Sequence, residues 1–145
     1  MRQVSVRLGL LLVLALFVIV AAGCSASGRV AGARGTVVRV NERDFQLTVK
    51  PNHVHAGNVV LVVRNHGPDT HELIVVRSRS RLPLRHDGLT VDEEALSVVT
   101  VASVDGAGPG SVERVRVHLA RGRYELLCNM AGHFMAGMHG DLVVE

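Results

Sequence analysis

The stretch Val112-Glu-Arg-Val-Arg-Val-His-Leu119-Ala-Arg-Gly-Arg-Tyr124-Glu-Leu-Leu-Cys128-Asn-Met-Ala-Gly-His133-Phe-Met-Ala-Gly-Met138-His-Gly140 decides the fold. Its first eight residues alternate apolar and polar, the signature of a strand with one buried face. Leu119-Ala-Arg-Gly-Arg-Tyr124 then leads into a second strand ending at Cys128. A tyrosine at that point resembles the tyrosine corner of Greek-key sandwiches, whose phenol bonds a backbone group across the connection. Gly140–Glu145 closes the chain as a third strand.

Upstream the same pattern continues. Thr36–Asn41 and Phe45–Lys50 read as strands around a turn at Glu42-Arg43-Asp44, followed after Gly57 by Val59–Arg64 and His71–Val76. Thr90-Val-Asp-Glu93 has the form of a capping box, which predicts a short helix near 91–98 inside an insert spanning 78–104. The sum is an all-β, Greek-key two-sheet sandwich of about seven or eight short strands. No internal repeat is present.

Composition bounds the partners. The chain has 145 residues, of which 48% are hydrophobic, enough for one core and too few for two ordinary domains. Aromatics make up 3%, so base stacking has almost nothing to stack on. The net charge of +3 is partly the leader's: without Arg2 and Arg7, sixteen basic residues become fourteen against thirteen acidic. Such a balance argues against nucleic acid as a partner.

Met1–Gly23 reads as a secretory leader, with Arg2 and Arg7 ahead of an apolar run, Leu8–Ala22, too short for a bilayer span of about 20 residues. Val20-Ala-Ala-Gly-Cys24 resembles the lipobox of bacterial lipoproteins, although Ala21 stands where that pattern usually has Leu. The resemblance implies a signal peptide over 1–23, a lipid on Cys24 and a membrane tether; an ordinary leader cut nearby is the alternative. Residues 24–35 are Gly/Ala/Ser-rich, as a flexible linker should be. The protein is therefore expected to be exported and to face outside the cytoplasm, with residues 36–145 as its folded domain. A lone Cys128 in an oxidising compartment is a liability unless something occupies it, and a metal is the obvious occupant.

The loop between the last two strands supplies a thiolate, an imidazole and a thioether at C-x4-H-x4-M spacing. Gly132 and Gly137 precede His133 and Met138 and let the loop fold back. His71, at the opening of an apolar strand, offers the second imidazole. Two His, one Cys and a weak Met donor make the blue-copper set. From Thr36 to Glu145 the chain resembles the cupredoxins, the small blue copper proteins. The residues that carry the likeness are Phe45-Gln-Leu-Thr-Val-Lys-Pro, Ala56-Gly57, Val63-Arg-Asn65, His71 and Tyr124–Met138, with the ligand spacing closest to the rusticyanin and sulfocyanin branch.

That resemblance implies one copper ion cycling between Cu(II) and Cu(I), with His71, Cys128 and His133 as equatorial ligands and Met138 as the axial one. It also implies one-electron transfer through His133 to a redox partner protein, no substrate site or enzyme activity, and a monomer. Where the family commonly has Asn or Ser after the first His ligand, this chain has Glu72, so the bridging role of that residue is not carried over. Met130 and Met135 are assigned to packing or the loop surface. His53, His55, His66, His86, His118 and His139 are read as surface or turn residues. The basic run Arg77, Arg79, Arg81, Arg85 is read as a solvated loop. The rival readings are a copper-handling lipoprotein that holds Cu(I) on the methionine-rich loop, a partner or truncated relative of a copper oxidase or nitrite reductase, and a metal-free adhesion-type sandwich.

Overall fold

The computed structural model describes residues 35–78 and 81–145. The leader, Cys24, nearly all of the linker and Arg79 lie outside the described residues. Within them nine strands and one short helix run β1 (Thr36–Arg43), β2 (Gln46–Lys50), β3 (His53–Val54), β4 (Gly57–Asn65), β5 (His71–Arg77), α1 (Glu93–Leu96), β6 (Thr100–Ala107), β7 (Val112–Leu119), β8 (Gly122–Leu127) and β9 (His139–Val144). One sheet is ordered β2-β1-β4-β7 and the other β3-β9-β8-β5-β6. β1 runs parallel to β4 and β3 parallel to β9, while the remaining neighbours are antiparallel.

Period-two alternation builds the space between the sheets. Val38 and Val40 of β1, Val59, Leu61 and Val63 of β4, Leu73 and Val75 of β5, and Leu126 and Leu142 of β8 and β9 point into one cluster. Cys128 and Met138 belong to that same cluster. The other side of β5 and β8 is covered as well: Ile74, Val76 and Leu127 pack against Leu82, Val91 and Leu96 of the insert. Burial on both faces explains why β5 reads Leu-Ile-Val-Val without alternation. Tyr124 Oη donates to the Ala120 carbonyl at 2.8 Å, which closes the corner expected from the sequence.

Three local expectations need correction. The first turn falls at Asp44-Phe45. Glu42 stays in β1 and, like Val38 and Val40, points inward, because the alternation of that strand continues through it. The insert 78–104 is not all irregular: β6 begins at Thr100 and pairs with β5. The cap of α1 is Asp92, whose Oδ1 accepts from the Ala95 N–H at 3.2 Å; Thr90, the expected cap, is bonded to Asp87 instead.

Candidate metal centre

Four segments converge at one end of the sandwich. His71 opens β5 immediately after the turn His66–Thr70. Buried Asn65 shapes that turn: its Nδ2 donates to the Asp69 and Ala107 carbonyls at 2.6 and 2.8 Å, and its Oδ1 accepts from the Gly67 N–H at 2.8 Å. Cys128 follows the last residue of β8. The loop after it is closed by the Cys128 N–H on the Met138 carbonyl and the Met138 N–H on the His133 carbonyl, both at 3.0 Å. Gly132 and Gly137 hold φ of 83° and 105°, the left-handed conformations that let the loop turn back.

The result is compact. One donor atom from each of His71, Cys128 and His133 lies within 4.8 Å of the other two. Cys128 Sγ is 3.5 Å from His133 Nδ1, and the rings of His71 and His133 stand edge to face with centroids 5.2 Å apart. His71, Cys128 and Met138 are fully buried, whereas His133 reaches the rim. Phe45, exposed and held at φ 60°, stands edge-on to the His133 ring at 5.3 Å. Cys128 is buried and free of any disulfide.

The electrostatics fit a soft cation. Burial pushes the Cys128 thiol up, against the backbone N–H groups of Glu72 and Met130, which favour the thiolate, so without metal it is a protonated core residue. Burial and the neighbouring His133 push His71 down, with Asp44 pulling the other way. The ring is therefore neutral and free to act as a ligand. Neither ring nitrogen of His71 makes a hydrogen bond: Nε2 lies 3.2 Å from Asp44 Oδ1, within ion-pair range but off the line of a bond. A fully buried imidazole left so is rare in a finished core, and a bound cation supplies the missing partner. Thiolate, two imidazoles and a thioether select copper over harder ions.

Glu72 acts on the Cys128 loop electrostatically: its backbone N–H favours the thiolate form of Cys128, and the Asn129 backbone N–H favours the Glu72 carboxylate. Burial, and then Glu93, raise that carboxyl above the ordinary range. Asn129, unnoticed in the sequence, stitches the insert to the loop: Oδ1 accepts from the Val91 N–H at 2.6 Å, and Nδ2 donates to the Val91 carbonyl at 3.0 Å and Glu93 Oε1 at 2.7 Å. Asp44 and Glu42 were also missed, since Glu42 reaches the site through the register of β1 and Asp44 from the turn after it, and no local motif marks either. Met130 and Met135 are exposed, as assigned. His139 pairs with Glu125 at 3.3 Å and takes no part in the cluster.

A Greek-key sandwich with a His-Cys-His-Met constellation at one end defines a blue copper protein of the cupredoxin class. The chain belongs to the sulfocyanin (SoxE) domain family, whose profile matches residues 45–145. Among solved structures it is similar to reduced auracyanin from the photosynthetic bacterium Roseiflexus castenholzii, with TM-score 0.59 and 18% identity over 77% of this chain and 98% of that one. Reduced rusticyanin gives 0.55 and 19% over 77% and 81%. Auracyanin A, a "blue" copper protein from Chloroflexus aurantiacus, gives 0.55 and 19% over 77% and 99%. At these identities the likeness is one of fold. No curated protein matches the chain in sequence. Members of the class are electron carriers and not enzymes. The site implies one copper ion with His71, Cys128, His133 and Met138 as its donors, and copper supplies the one-electron couple.

Proposed function

We propose that this protein carries single electrons outside the cytoplasm, held at a membrane by a lipid on Cys24 and meeting its redox partner as a monomer at the His133 face. The observation that carries the electron-transfer role is the approach of the His71, Cys128 and His133 donors to within 4.8 Å in a buried pocket. Preset donors need little motion between Cu(II) and Cu(I). His133 is the donor at the rim, beside exposed Phe45 and on the loop that carries exposed Met130 and Met135. An apolar rim of this kind suits brief docking. Full burial of Cys128 and Met138 speaks against the copper-handling alternative, which needs its metal within reach of an acceptor.

Export and the lipid rest on the leader and on the small residues ahead of Cys24. Reconstitution with Cu(II) tests the core of the reading. The wild type should show an intense thiolate-to-copper band in the visible that bleaches reversibly on reduction, and Cys128→Ser should lose it. A colourless Cu(I) protein that passes its metal on would favour copper handling. For the tether, Cys24→Ala should move the protein from the membrane fraction to the soluble one, and sedimentation of the domain should report one chain.

A further inference from the structure

Asp44 stands where nothing in the ligand pattern calls for a carboxylate. It lies in the β1–β2 turn, half-buried, with Oδ1 3.2 Å from Nε2 of fully buried His71. With Nε2 turned towards Asp44, Nδ1 is the nitrogen left to face Cys128 and His133.

Three features of the backbone converge on this contact. Phe45, the next residue, takes a left-handed φ of 60°, a costly conformation for an aromatic residue, and so fixes the turn. Gly67 packs over the pair. A Cβ there would collide with Asp44 Oδ1 and stand 3.1 Å from His71 Nε2, so only glycine leaves room for carboxylate and imidazole together. Asn65 Oδ1 then holds the Gly67 N–H at 2.8 Å.

A carboxylate on the remote nitrogen of a ligating imidazole fixes tautomer and ring orientation and makes the ring a stronger donor. A stronger donor with a nearby negative charge favours the more highly charged Cu(II) over Cu(I). We propose that Asp44 is the positioning residue for His71: its carboxylate, 3.2 Å from Nε2, keeps the ring proton on that nitrogen by charge, leaves Nδ1 free for the metal, and holds the reduction potential of the centre low. The inference rests on the copper reading above.

The test uses copper-loaded wild type, Asp44→Asn and Asp44→Glu. Losing such a partner costs about 10–100-fold in hold on the metal. Expressed as a tenfold loss of preference for Cu(II) over Cu(I), that is a midpoint raised by about 59 mV in Asp44→Asn. Asp44→Glu should recover at least half of the shift, with the visible band present in all three. An unchanged midpoint in Asp44→Asn overturns the proposal while leaving the copper reading intact; a wild type that shows no band with Cu(II) overturns both. Copper loss in Asp44→Asn that Asp44→Glu restores supports it, and loss in both variants overturns it. In metal-free protein, nitrogen NMR should find His71 protonated at Nε2; protonation at Nδ1 counts against the assignment.

Discussion

Glu42 occupies a position that β1 otherwise gives to valine, and both of its carboxylate oxygens are buried without a hydrogen bond. Burial, with repulsion from Glu72 added, lifts its pKa from 4.5 to about 7. The folded chain binds this proton more tightly than the unfolded chain does. The associated stability is complete below pH about 4.5 and is lost as pH rises through about 7, an effect of about 3 kcal/mol at most. Glu42→Gln should therefore match the wild type at pH 4 and exceed it at pH 8, as read from denaturant unfolding of the metal-free protein. The residues around Glu42 show what a sequence can disclose. Cys128, His133 and Met138 lie within one loop, and their spacing is chemistry written locally. Asp44 and Glu42 reach the site across a hairpin, and the reading that put both in a turn had no means of telling which faces inward.

Asn129 ties the insert to the ligand loop through the Val91 backbone and Glu93. Gly132 N–H adds a bond to the Leu89 carbonyl at 3.1 Å, and Phe134 packs on the insert's own apolar cluster. Asn129→Ala leaves the buried Val91 N–H and C=O unpaired, which costs about 1–3 kcal/mol for each group so stranded. The expected outcome is a drop of about 2–6 kcal/mol in the unfolding free energy of the metal-free protein, one such cost for each of the two groups, together with faster amide exchange over 89–96. Asp92→Ala removes only an exposed cap and should cost about 1 kcal/mol or less. At this scale the sequence was legible where apolar residues alternate or run together, as in β4, β5 and β7. It was illegible at β6, whose Thr-Val-Ala-Ser-Val-Asp-Gly-Ala carries turn-forming residues and becomes a strand only because β5 offers it a ladder.

Across the whole molecule, two of the four copper donors are members of the main core, packed in one cluster with Leu61, Leu126 and Leu142. Leu126→Ala, well away from any ligand role, should destabilise the fold by about 2–5 kcal/mol and also broaden the visible copper band; calorimetry and spectroscopy on the same sample check both. Outside the leader, positive and negative side chains nearly balance. Electron exchange with a small anionic and a small cationic reagent should therefore differ little, and each rate should change only weakly between low and high salt. The fold class followed from such global patterns, since a sandwich needs nothing more specific than inward-facing apolar positions and turns between them.

The seating of Cys128 and Met138 among the leucines and valines ties the history of the interior to the colour of the protein. Ordinary drift among aliphatic residues, harmless in most sandwiches, would here retune a spectrum and a voltage. Selection on the electron thus extends to side chains that never touch it.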